Sequence, residues 1–329
     1  MTLTAVLVVV LFLVLAAEFI NGWTDAPNAI ATVVSTGVLP TRVAILFAVV
    51  LNTAGAMAGT AVAATVGKGI VESSALTLPT LGAAMVSIIL WGSIAARFGL
   101  PVSKSHALLA GLAGAAFAGG GMDALIASGW SKVFLGIGCS FILGFSGAYL
   151  IAKAIIYCAR NASPASAKNL FDKLQVLSAS FMAFNHGLND GQKFMGVFAL
   201  ALVVGGVHEE FIIPFWVIVV CGLTMGLGTS LGGWRIIKTI GMKLTKLTSW
   251  QGFAAETAAS LTILGASTFG IPLSTTHTIT TSIVGVGASL RLKNVRVDVL
   301  GRVISAWAVT FPFCALVAYG AASVALIFF

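Results

Sequence analysis

"FGLPVSKSH" at residues 98–106 returns as "FGIPLSTTH" at 269–277, an offset of 171. A second pair stands upstream in the same order. "NGWTDAPN" at 21–28 matches "HGLNDGQK" at 186–193, which sets Asp25 on Asp190 at an offset of 165. Both offsets are close to half of the 329 residues. Two unrelated short motifs, repeated in one order, point to a chain made of two copies of one unit.

The copies lie in apolar surroundings. The chain is 58% hydrophobic and only 9% charged, with a mean hydropathy of +1.05. A soluble domain carries about a quarter charged residues, so this is a polytopic membrane protein. A helix needs ~20 residues to cross ~30 Å of hydrocarbon. Ten apolar elements fit: 3–36, 43–66, 76–97, 102–118, 130–157, 174–204, 211–233, 251–269, 273–289 and 303–328. The first and sixth are long and interrupted; the fourth and ninth are short, as hairpin helices are. Leu3 to Ile20 lacks a basic leader and a small-residue cleavage site, and reads as a retained span.

Charge sets the orientation. The net charge of +8 gathers in loops 153–173, 235–246 and 291–302, the last including Arg291, Lys293, Arg296 and Arg302. Basic loops face the cytoplasm. With both termini outside, all three loops fall inside, as do Arg42 and Arg97, and the acidic loop with Glu209 and Glu210 falls outside. Five elements on each side of the central loop give the copies opposite orientation. The expected fold is therefore an all-α polytopic membrane protein of two inverted repeats, about five elements each, with broken helices and short helical hairpins. Its parts are 1–152, a cytoplasmic connection 153–173, and 174–329. Inverted repeats are the common plan of secondary transporters, with the site at their interface. The basic patches sit between spans, which excludes a nucleic-acid partner.

A carboxylate at the bilayer centre costs at least ~2.5–3.5 kcal/mol, so Asp25 and Asp190 need cations, donors or water. Gly22 and Pro27 flank Asp25 and are expected to unwind a turn there. Thr24, Asn28, Asn189 and Gln192 supply neutral oxygens and amides around the acids. A carboxylate with neutral oxygens suits sodium; a carboxylate alone suits a proton. In the other motif a proline introduces a helix whose first turn is rich in hydroxyls. Free N–H groups there, with the positive end of the helix dipole, form an oxyanion cradle. Ser103, Ser105, Ser274, Thr275 and Thr276 add hydroxyls, and Lys104 adds an ammonium. Acids for a cation and helix starts for an anion together describe co-binding.

These paired segments, with "GGWRIIKTIG" (232–241) and "GFAAETAAS" (252–260), resemble the inorganic phosphate transporter (PiT) family over essentially the whole chain. The resemblance implies symport of phosphate with sodium or protons. It assigns the coupling ion to acids such as Asp25 and Asp190, with Glu256 matching a further acid. It assigns the anion to Ser103, Ser105, Ser274, Thr275 and Thr276, with Asn28 and Asn189 in the same site. Thr24 stands where the family usually has Asn, Asn52 where many relatives have Glu, and Lys193 replaces the last Asn of the motif. Some members carry sulfate.

Several residues read two ways. His106 and His277 either brace the hairpins through backbone hydrogen bonds or transfer protons. Lys104 either snorkels to the interface or touches the anion. Lys193 either bridges to Asp190 or Glu256, or stands as a fixed cation where the other half binds a mobile one. Glu18 either faces the same polar path or pairs with another helix. The run "GLAGAAFAGGG" (111–121) suits a homodimer contact as well as packing within one chain. Phosphate can donate a proton to a carboxylate and sulfate cannot, so an acid in contact with the anion favours phosphate. A sulfate permease is the alternative, an anion channel a more distant one. A membrane enzyme has little support: Ser105 and His106 are adjacent, and no third orienting residue recurs. Cys139, Cys158, Cys221 and Cys314 show no metal spacing. No phosphate-binding Gly-rich loop with Lys is present, which argues against direct ATP use. No cofactor is expected beyond the coupling ion.

Overall fold

The structure, a computed structural model, describes residues 3–291 and 294–328; Lys293 of the third basic loop lies outside the described residues. The described chain is helical. Its elements are α1 (Leu3–Ser35), α2 (Thr41–Met57), α3 (Ala61–Lys68), α4 (Leu78–Phe98), α5 (Lys104–Gly120) and α6 (Ala127–Cys158), followed by α7 (Pro164–Val204), α8 (Phe215–Ser230), the short α9 (Trp234–Ile237) with its π-helical continuation Lys238–Lys243, α10 (Ser249–Thr268), α11 (Thr275–Leu290) and α12 (Val297–Phe328). Among the described residues, five helices (α1, α4, α5 together with the 3-10 turn that continues it to Ala124, α6 and α12) are long and apolar enough to cross a membrane. Two bent pairs can each make a further span: α2 with α3, at 69°, and α8 with the segment Trp234–Lys243, at 68°.

The breaks are not where the sequence placed them. α1 runs unbroken through Gly22, Asp25 and Pro27, and α7 through Gly187 and Gly191. The bends fall instead at 58–60 and 231–233. One proline removes one backbone bond, a loss that neighbouring helices in a membrane bundle can accommodate. The central connection also differs from expectation. Ser163 caps α7 by accepting from Ser166 N at 3.2 Å, and Pro164 takes the first helical position. Both are strong helix-start features, so only residues 159–163 remain between α6 and α7.

α1 and α7 organise the interior. The first half of α1 (Leu7, Val10, Val14) and the last part of α7 (Phe194 to Leu202) belong to one apolar cluster with α3, α4, α5 and α8. The end of α1 (Ala29 to Val34) and the earlier part of α7 (Ala179, Met182, Ala183) belong to a second, with α2, α6, α10 and α11. Between the clusters both helices turn polar, from Glu18 to Asn28 and from Asn185 to Lys193, and those side chains are buried. Polar groups within a bundle face its interior in this way.

Glycines allow α1 and α7 to approach their neighbours at backbone distance. A Cβ on Gly22 would stand 2.2 Å from Met225 O of α8, and one on Gly228 2.2 Å from Phe19 O of α1. α7 meets α2 in the same manner, through Gly187 against Asn52 O (2.1 Å) and Gly55 against Phe184 O (1.9 Å). The small-residue run 111–121 is used within the chain: Gly114 faces Ala315 O of α12 at 2.1 Å. The outer helices cross over. α6 packs on α10 and α11, and α12 packs on α4 and α5. Trp91 Nε1 donates to Thr310 Oγ1 at 2.9 Å and Trp307 Nε1 to Pro101 O at 2.8 Å, which fasten α12 to the first half.

Candidate functional site

The polar belt of α1 and α7 meets the starts of α5 and α11. Each start is capped by its own serine: Ser103 Oγ accepts from His106 N and Ser274 Oγ from His277 N, both at 3.2 Å. Beyond the caps, the hydroxyls of Ser105, Thr275 and Thr276 face the belt. Thr275 Oγ1 donates to Asp190 Oδ2 at 2.7 Å. Thr276 Oγ1 lies 3.4 Å from Asp25 Oδ2 as a donor and accepts from Asn28 Nδ2 at 2.9 Å. Ser105 Oγ donates to Leu273 O at 3.0 Å. α11 thus reaches the acids of both long helices.

Asp25 and Asp190, 165 residues apart, converge with His186: one ligand atom from each lies within 4.8 Å of the others. His186 Nε2 is 3.2 Å from Asp190 Oδ2, and its Nδ1 is 2.9 Å from Asn52 Oδ1. Each acid also has an ammonium. Lys104 Nζ is 3.5 Å from Asp25 Oδ1. Lys193 Nζ donates to Asp190 Oδ1, to Ser105 Oγ, and to Leu273 O at 2.8 Å. All four charged groups are at most 2% exposed. Burial of this order is tolerated when charges are paired and hydrogen-bonded. Asn28 Oδ1 and Asn52 Nδ2 have no partner among the described residues.

Other residues named from the sequence are engaged elsewhere. Thr24 Oγ1 bonds back to Ile20 O at 2.6 Å. Gln192 Oε1 accepts from Val62 N at 2.9 Å and so holds the start of α3. Asn189 Nδ2 donates to Ser267 Oγ at 2.8 Å. Glu256 forms its own buried cluster, accepting from Thr32 at 2.5 Å, from Gln175 at 3.3 Å and from Ser178. It does not bridge to Lys193, which is bound to Asp190. Glu18 accepts from Asn21 Nδ2 at 3.0 Å within its own helix. His106 and His277 stack with ring centroids 4.6 Å apart, and His277 lies 3.8 Å from the Trp307 ring. The stacked pair thus joins the starts of α5 and α11.

His186 and the partners of Glu256 were not anticipated. His186 lies four residues before Asp190 on α7, the spacing of one helical face, which is the signal the repeat carried. Two matching contacts also escaped the sequence. Thr65 Oγ1 donates to Gly270 O at 2.7 Å, and Thr239 Oγ1 to Gly99 O at 2.8 Å. Gly99 and Gly270 hold φ of 66° and 63°, a left-handed conformation suited to glycine. Beside each contact lies a recess: one lined by Thr24, Ser93, Arg97 and Arg235, the other by Ala64, Thr65, Lys68 and Lys132.

Comparison with known proteins follows the same residues. The model of the "Phosphate transporter family" matches residues 21–318. A "Probable low-affinity inorganic phosphate transporter" of Rhizobium meliloti (strain 1021) is 41% identical, over 91% of this chain and 90% of that protein. One of the same description from Bacillus subtilis (strain 168) is 38% identical, over 94% and 93%. A solved structure described as "The sodium-dependent phosphate transporter" superposes with a TM-score of 0.90 over 99% of this chain and 100% of that one, at 24% identity, a likeness of fold. The matched family and these relatives are transporters, not enzymes. Because the match spans both acids and both capped turns, this chain belongs to the phosphate transporter family.

Proposed function

We propose that the chain is a secondary symporter that carries inorganic phosphate with sodium or protons, binding both where α1, α7 and the starts of α5 and α11 meet. The observation that carries this reading is the convergence of Asp25 and Asp190 with the hydroxyls of Ser105, Thr275 and Thr276. Unpaired N–H groups in the first turns of α5 and α11 face an oxyanion with the positive ends of their dipoles. Thr275 and Thr276 can donate to the anion once they release the carboxylates, and Ser105 once it releases the carbonyl of Leu273. Those carboxylates then take the coupling cation or a proton of the phosphate. An acid facing the anion disfavours sulfate, which has no hydrogen to donate to it. The names of the relatives support phosphate, and that of the solved neighbour supports sodium.

Residues 1–152 and 174–329 act as two inverted copies, a reading supported by the crossed packing of α6 and α12 and by the paired bends. Both termini face outside and the basic loops face the cytoplasm of a cell-membrane protein. The Thr239–Gly99 and Thr65–Gly270 contacts are both made here, and releasing first one and then the other would open opposite ends of one path in turn. Uptake into proteoliposomes tests the function, with phosphate and sulfate in competition and sodium and proton gradients imposed separately. Phosphate accumulation driven by one of the gradients is expected; equilibration without accumulation would replace the symporter with a channel.

A further inference from the structure

The residue three positions after each acid differs in kind. After Asp25 it is Asn28, neutral, with its amide nitrogen on Thr276 and its carbonyl oxygen unpartnered among the described residues. After Asp190 it is Lys193. A lysine ammonium has three N–H donors and no acceptor. Here all three have oxygens: the carboxylate of Asp190, the hydroxyl of Ser105 and the carbonyl of Leu273. Carboxylate, hydroxyl and backbone carbonyl are the oxygen ligands a small hard cation takes. The three also come from α7, from α5 and from the turn before α11, so the ammonium joins both halves of the chain. Lys104 is held differently, by one acceptor at 3.5 Å among the described residues.

We propose that Lys193 is a resident cation: its ammonium occupies, beside Asp190, the place that a mobile coupling ion occupies beside Asp25, so that only the first acid loads an ion from solution. This rests on the symport reading above. It makes Lys193 a determinant of how many cations accompany each anion. Its three donors are all committed to protein oxygens, whereas Lys104 meets one acceptor, Asp25, among the described residues. The asymmetry also explains why two acids in one polar belt need not mean two transported cations.

The purified full chain in proteoliposomes, with the membrane potential clamped at zero, decides the matter. A tenfold gradient of the driving cation is imposed, and the limiting ratio of internal to external phosphate is read. Each additional coupling cation raises that ratio about tenfold. Lys193→Asn is expected to accumulate phosphate to a ratio about tenfold above wild type, because Asp190 then takes an ion from solution. An unchanged ratio, with uptake still present, overturns the proposal. If Lys193→Asn does not fold, the double variant Asp190→Asn/Lys193→Met removes the pair as a neutral unit. It is expected to keep the wild-type ratio at whatever rate it retains; a ratio about tenfold lower would mean that Asp190 carries a mobile ion in the wild type. Absence of gradient-driven uptake by the wild type is a separate result and would strike the symport reading itself.

Discussion

Gly187→Ala tests the packing on which the site depends. The new methyl would lie 2.1 Å from the carbonyl oxygen of Asn52, about 1.3 Å inside an ordinary van der Waals contact. The obstacle is backbone on the facing helix, so α7 and α2 must part. Overpacking costs ~1–3 kcal/mol, and a backbone clash lies at the upper end. Alanine regains about 1 kcal/mol of helix propensity over glycine, for a net loss of about 2 kcal/mol. Gly320→Ala in α12 is the control. Nothing lies within 4 Å of its methyl, and it should gain up to about 1 kcal/mol from propensity alone. Thermal unfolding in detergent, read as the monodisperse fraction, should separate the two variants by several degrees. Parting the helices also stretches the His186–Asn52 contact of 2.9 Å, so transport should fall with stability. If Gly187→Ala melts with Gly320→Ala, the helices are not in backbone contact and the account of the belt fails.

Thr276→Val keeps the shape but removes the acceptor of Asn28 and the donor to Asp25. It should raise the half-saturating phosphate concentration by about 5–150-fold, the equivalent of ~1–3 kcal/mol, while Thr276→Ser stays near wild type; equal effects of the two would refute a role for the hydroxyl. Glu256→Gln sets an amide N–H2 among the donors of Thr32, Ser178 and Gln175, and should cost about 1–3 kcal/mol of stability; an unaltered melting curve would show that the carboxylate is not needed there. Thr239→Val and Thr65→Val each delete one closing contact worth about 1 kcal/mol, a roughly fivefold shift in population. In a background without the native cysteines, the first should speed thiol labelling of Ser93→Cys and the second that of Ala64→Cys. Identical responses of both reporters to both changes would remove the alternating role.

Some of this was legible in the residues because it is local. Ser103 and Ser274 sit three residues before histidines, after a proline, and they cap as such residues do. Asp25 and Asp190 could be paired because the repeat numbers them. What was not legible depends on tertiary partners. Gly22 and Pro27 look like a break, yet α1 continues, because the helices around it stabilise the turn. The bend at 231–233 was marked by Gly232 and Gly233, both at positive φ, but Gly59 at 58–60 is one glycine among many in apolar runs and does not stand out. Glu256 has the right chemistry for the central pair, but the order of helices in space sets it among Thr32, Gln175 and Ser178. A lone histidine such as His186 carries no mark of its neighbours beyond its spacing from Asp190.

The crossed outer helices bear on how the molecule is made. α6 leaves the ribosome long before α10 and α11, on which it rests, and α4 and α5 wait for α12, which follows all of these in the chain. Contacts of such sequence separation form slowly. A nascent chain halted in the second half would leave apolar faces of α4 and α5 uncovered, a natural signal for chaperones and proteases of the membrane. The faces of α4 and α5 are therefore covered only when α12 arrives, and loss of α12 should be read by the cell as loss of the whole bundle.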